Sequence, residues 1–162
     1  MAKVDNGLAR LNRRLNAIPQ NVRAAVQPAL LKAGTALADD MRALAPVDDG
    51  DLKDSIAVTP GGSTTPPYSQ PGGRQVVPQL QVLVTAGNTK VRYAHLVEFG
   101  AAPHEIKGKD GKPMGSDGHF GPVVHHPGTK AEPFFWPAFR LHRKKLASAI
   151  KRAIRKAVKD AK

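Results

Sequence analysis

NVRAAVQPALLKAGTALADDMRALAP, residues 21–46, sets the fold. Val22, Val26, Leu30, Ala33, Leu37, Met41 and Leu44 return at intervals of three and four, the signature of a helix with one apolar stripe. Pro46 ends it, because a proline disfavours helical backbone at the residue before it. Pro28 implies either a kink or a start near Gln27, with the proline in the first turn. Upstream, Leu8, Leu11, Leu15 and Ile18 form a second stripe, with Arg10, Arg13 and Arg14 off it. Pro19 is expected to break or bend that N-terminal helix, which takes in residues 1–19.

Downstream of Pro46 the pattern changes. Asp48, Asp49 and Gly50 read as a turn, and residues 51–55 as one helical turn with an Asp as its N-cap. A strand is expected to start over residues 56–58. Residues 59–78 are rich in Gly, Pro, Ser and Thr, which predicts a long exposed loop. It is expected to be mobile in the free subunit and ordered by a neighbour through Tyr68, Val76 and Val77. Leu80, Val82, Val84 and Ala86 alternate with other residues as in a strand, and Gly87-Asn88 marks a turn. Residues 90–93 then supply the second arm of an antiparallel hairpin. A short helix over residues 95–99 ends at Gly100. Residues 101–130 hold six Gly and four Pro without periodicity, a second extended loop.

The last helix is the clearest. Phe139, Leu146, Ile150, Ile154 and Val158 mark one face, and the opposite face is almost wholly Lys and Arg. Helices, then strands, then a helix predict an α+β fold in a single domain, 1–162. A small antiparallel sheet packs against a long N-terminal amphipathic helix and a basic C-terminal helix, with two long loops.

Composition narrows the function. With no cysteine among 162 residues, a thiol nucleophile, a disulfide framework and a cysteine-ligated zinc site are excluded. Nothing near the N-terminus reads as a secretory signal, and no stretch approaches the roughly 20 apolar residues that cross a bilayer. The net charge of +12 is segregated. Residues 137–162 carry ten Lys or Arg against Asp160, which gives +9; residues 35–60 carry six Asp against Arg42 and Lys53, which gives −4. That division suits a subunit meeting oppositely charged neighbours, and a solvated helix face gives the same pattern.

No active site assembles. His119, His125 and His126, with Asp117 nearby, raise a metal, but adjacent histidines on extended backbone point apart, whereas zinc helices space theirs by four. Asp48, Asp49, Asp51 and Asp54 lack the twelve-residue calcium-loop pattern. There is no GxxxxGK[ST] phosphate loop and no GxSxG elbow, and Glu98 has no evident partner acid. The reading is a protein that is not an enzyme and uses neither metal nor cofactor.

Three ordered segments carry a resemblance: APVDDGDLKDSI at 45–56, VRYAHLVEFG at 91–100 and HHPGTKAEPFFWPAF at 125–139. Together, from Leu30 to the C-terminus, they resemble the tail-component family of long-tailed bacteriophages, which supplies neck and tail-completion proteins. The resemblance implies a virion structural protein, made in the bacterial host cytoplasm, that forms a homomeric ring at the head–tail junction or the head-proximal tail end. Its partners would be itself, as a hexamer, and the head-closure, connector and tail-tube proteins, with non-specific DNA contact besides and no membrane. Interface candidates are Asp48, Asp49, Asp51, Tyr68, Glu98, His126, Trp136, Arg140, Arg143 and Lys144. Phe134 and Phe139 are assigned to the core and Trp136 to the interface. The alternative is a basic nucleic-acid-binding protein that uses the C-terminal helix, although no base-reading motif accompanies it.

Overall fold

The computed structural model describes residues 7–114 and 121–160. The first helix, α1, spans Gly7–Leu44 and is continuous through Pro19 and Pro28. The expected break at Pro19 and the start near Gln27 are therefore absent. A proline holds φ near the helical value, so its cost is a missing donor and local crowding, about 3 kcal/mol in an isolated helix. Here packing of Val26, Leu37, Ala38 and Met41, all buried, offsets it. The side chains of Leu8, Leu11, Leu15 and Ile18 lie outside the described residues. At the far end, Ala45 N–H donates to the Met41 carbonyl at 2.9 Å before Pro46 turns the chain away.

Gly50 takes φ +91°, a left-handed conformation suited to glycine, and opens the short helix α2, Asp51–Asp54. The expected Asp N-cap is displaced by one position: Gly50 is the cap, and Asp49 Oδ1 accepts the Asp51 N–H at 3.0 Å. Leu52 and Ile56 return to the core. Strand β1, Ala57–Pro60, pairs antiparallel with β2, Val82–Thr85, in the register Ala57 to Thr85 and Pro60 to Val82. The Arg42 guanidinium ties the entry to β1 onto α1 by donating to the Ile56 carbonyl at 2.6 Å.

A two-stranded sheet is marginal alone. This one rests on α1 at Gly34, where an added Cβ would come within 2.7 Å of Val82 Cγ1 and 3.2 Å of Val58 Cγ1. The missing side chain is what admits the valines.

The expected hairpin between residues 80–86 and 90–93 does not form, because β2 pairs with β1 instead. Asn88 Oδ1 accepts the N–H groups of Lys90 and Val91 at 2.8 and 2.9 Å, and this side-chain acceptor bends the chain out of strand geometry. Helix α3, Ala94–Phe99, follows and ends at Gly100.

Residues 61–81 are irregular but are not a free arm. Gln70 and Ala86 exchange backbone hydrogen bonds at 2.8 and 2.9 Å, and Thr65, Ser69 and Val77 are buried. Hydroxyl chemistry supplies contacts in a segment poor in apolar area: Thr65 Oγ1 donates to the Gly73 carbonyl and accepts the Gln75 N–H. Val77 is an anchor into its own subunit, while Tyr68 and Val76 stay exposed.

The stretch 101–130, expected to be irregular, contains an antiparallel ribbon of β3, His104–Lys107, and β4, Val123–His126. Every residue of β3 is exposed, so no burial pattern marks that strand in the sequence, while β4 alternates exposed and half-buried. Helix α4, Phe135–Asp160, closes the fold against α1. Ala138 and Ala157 are buried; Leu146 and Ile150 are half-buried, and Ile154 is more exposed than its position on the stripe implies. The core joins α1, α2, β2, α3 and the start of α4 through Met41, Ile56, Ala86, Val91 and Phe134.

Candidate functional site

Glu98 organises the region where α3 meets α4. It is only 6% exposed, and its carboxylate accepts three consecutive backbone N–H groups: Phe134 and Phe135 at 2.8 Å on Oε2 and Trp136 at 3.1 Å on Oε1. These are the unpaired donors at the start of α4, where the helix dipole also favours a negative charge. One acid from α3 thus caps a helix 36 residues further on, and Glu132 N–H reinforces the junction by donating to the Val97 carbonyl at 2.8 Å. Glu98, an interface candidate, has its carboxylate engaged inside the subunit.

The cap fixes a series of edge-to-face aromatic rings. Phe134 to Phe135, Phe135 to Trp136 and Trp136 to Phe139 have centroid separations of 6.4, 5.6 and 5.9 Å. Phe134 is buried and Phe139 half-buried, whereas Trp136 is 41% exposed. Beside Trp136 an apolar cleft opens, with Pro71, His95, Phe99 and Phe135 on its walls. Phe99 stands 68% exposed on its rim. Sequence reasoning did not single out Phe99: a six-residue helix gives too few turns to separate its faces. Its position next to the buried Glu98 is the one available sign.

The acidic candidates form a separate lip. Asp48 and Asp49 are exposed and border a crevice shared with Tyr93, Val97, Lys130 and Glu132. Asp51 is partly engaged, since Lys90 Nζ lies 3.0 Å from its Oδ2. The hydrogen bond and charge of Asp51 raise the Lys90 ammonium above its ordinary pKa. Burial raises the Tyr93 phenol, and the charges of Asp49, Asp51 and Asp48 raise it further.

Arg140, Arg143 and Lys144 are all exposed on α4. Trp136, Arg140 and Arg143 follow i, i+4, i+7 spacing and share a helix face, which places two cations beside the aromatic rim. On its inner side α4 is joined to α1 by His142 Nε2 and Asp40 Oδ2. Tyr68 lies elsewhere, under the Arg92 guanidinium at 4.1 Å from its ring centroid. His126 stacks on His104 across the ribbon, with centroids 5.0 Å apart, and His125 lies opposite Glu105 on the other face. Asp117 and His119 lie outside the described residues. Among the described residues no group of three or more His, Asp or Glu is placed to hold a metal ion. No helix among them is long and apolar enough to cross a membrane.

The arrangement thus offers an aromatic cleft with a cationic flank, an acidic lip and a basic helix. A family model described as "Bacteriophage HK97-gp10, putative tail-component" matches residues 9–100, more than half of the chain. The match begins earlier than the expected resemblance and stops before its third segment, residues 125–139. No curated protein and no solved structure matches the chain significantly.

Proposed function

The chain belongs to the HK97-gp10-like family of bacteriophage tail components, and from that premise we propose that it is a non-enzymatic subunit of a homomeric, six-fold ring in the virion. The ring sits at the head–tail junction or the head-proximal tail end, as a neck, tail-completion or terminator component, and meets connector and tail-tube proteins. A closed ring needs two different patches on each subunit that fit one another.

The observation that supports this reading best is the rim of Phe99 and Trp136. Two large aromatic side chains stand exposed on a rigid cleft that Glu98 holds in place, and exposed aromatics in a preformed apolar site are typical anchors of an interface. Arg140 and Arg143 flank that rim, and the Asp48–Asp49 lip supplies charge of the opposite sign for a neighbour.

Sedimentation and negative-stain microscopy of the purified protein test the ring. Wild type is expected to form closed particles of uniform subunit number. Phe99→Asp, which leaves the buried core intact, is expected to remain a folded monomer. Wild-type protein that stays monomeric at high concentration, or a Phe99→Asp variant that closes normally, would refute the proposal.

A further inference from the structure

The chain carries more positive charge than a ring of identical copies can neutralise, and α4 holds the densest share of it. The chain has 25 Lys or Arg against 13 Asp or Glu, and every added copy brings the same surplus. Part of the acid is already committed inside the subunit: Asp39 pairs with Arg42, Asp51 with Lys90 and Asp40 with His142, while Glu98 caps α4. The Lys and Arg residues of α4 form no ion pair among the described residues. The excess, balanced by small counterions in the free ring, is available to a polyanion that displaces them.

The layout of these cations fits a phosphate lattice. Lys144, Lys151, Arg155 and Lys159 follow i, i+7, i+11, i+15 spacing, which sets them in one row on α4, and all four are exposed. At 1.5 Å per residue the row is about 22 Å long, with neighbours about 6–10 Å apart. One strand of duplex DNA presents about six phosphates over that length, at 3.4 Å of axis each. Lys145, Arg152 and Lys156 flank the row. Ser148 lies between the cations, and beyond Leu141 this face has no aromatic side chain. A protein partner would ordinarily meet an apolar centre, and base reading would need residues shaped for base edges. Along the row neither is present, the exposed Leu141 standing beyond its N-terminal end.

We infer that the outer face of α4 is a sequence-independent binding surface for the phosphate backbone of duplex DNA, with Lys144, Lys151, Arg155 and Lys159 as its central row. Trp136 and Arg143, around the side of the helix, remain for subunit contact, and Arg140, four residues before Lys144, lies between the two faces. That the bound duplex is the one passing through the ring rests on the ring proposal; the binding itself does not.

The test is titration of the full chain with duplex DNA of random sequence across a salt series, alongside two variants of equal charge loss. One neutralises the row (Lys144→Gln, Lys151→Gln, Arg155→Gln, Lys159→Gln). The other neutralises four exposed cations elsewhere (Lys107→Gln, Lys109→Gln, Lys112→Gln, Arg74→Gln). All eight side chains are exposed, and an unchanged melting temperature verifies folding. Wild type is expected to bind without sequence preference, with log affinity falling steeply against log salt. The row variant is expected to lose about 3–4 of that slope, at about 0.9 per phosphate contact, and to bind at least about 100-fold more weakly at low salt. The second variant should keep its slope within about 1.

Absent wild-type binding overturns the inference. So does equal loss in both variants, which would mean net charge alone, and so does competition by polyglutamate as effective as that by DNA, which would mean an acidic protein. Sedimentation of the same samples separates the two proposals. DNA binding by a protein that forms no ring sinks only the ring, and an intact ring that ignores DNA sinks only this inference.

Discussion

Replacing Glu98 tests the junction on which the candidate interface depends. Glu98→Ala removes the acceptor of three N–H groups at the start of α4, one of them on the buried Phe134. Loss of a helix cap costs about 1–2 kcal/mol. Loss of a partly buried charge at the positive end of the helix dipole costs up to about 2 kcal/mol more. The one methylene lost with the carboxylate, Cγ, adds about 0.8 kcal/mol. The sum is about 2–5 kcal/mol, on the order of 10 °C in melting temperature for a chain of this size.

Glu98→Gln keeps the shape and one oxygen. Its carbonyl takes the position that serves Phe134 and Phe135, while its amide faces the Trp136 N–H, so one bond and the charge are lost. That should cost about 1.5–3 kcal/mol. Urea unfolding followed by the fluorescence of Trp136, the one tryptophan of the chain, reports both values at the junction itself. Stability should fall in the order wild type, Gln, Ala. An Ala variant within about 1 kcal/mol of wild type would refute the reasoning, as would a Gln variant as damaging as Ala.

Four further outcomes are expected. Gly34→Val forces methyl groups into Val82 and Val58, already 2.7 and 3.2 Å from where a Cβ would stand, and should lower stability by about 3 kcal/mol in urea unfolding. Thr85→Val replaces a buried hydroxyl that has no hydrogen-bond partner among the described residues, and should raise stability by about 1 kcal/mol. Deleting residues 61–73 removes the paired bonds between Gln70 and Ala86, and should cost at least about 2 kcal/mol by the same measurement. The Tyr93 phenol, raised above 10.0 by burial and by Asp49, gives its contribution to stability in full below pH 10 and loses it as pH rises through the higher folded value. An ultraviolet absorbance titration should therefore show a late-ionising phenol that Tyr93→Phe abolishes and Asp49→Asn moves downward.

The elements whose apolar positions repeat over several turns were legible without coordinates. The 30–44 stripe, the proline stop at residue 46, the Gly100 terminator and the amphipathic α4 follow from side-chain spacing and backbone stereochemistry, both local properties. So does the charge segregation, which marks α4 as the basic element and residues 48–51 as the acidic one. The core placement of Phe134 likewise followed from the burial tendency of a large apolar side chain.

What the sequence left open depends on partners distant in the chain. β2 alternates correctly, but nothing local says that it pairs with β1 across the 61–81 excursion rather than with residues 90–93. That choice is made by Asn88, which draws off two N–H groups a second strand would need, and by Gly34, which makes room for the β1–β2 valines on α1. The ribbon escaped notice because β3 is wholly exposed and the alternation of β4 places a Val and a His on each face, with no apolar–polar contrast to record it. Glu98 is the sharpest case. A lone acid in a short helix carries no sign that its three ligands lie 36 to 38 residues downstream, and only when α3 and α4 meet does the dipole of one helix find the charge supplied by the other.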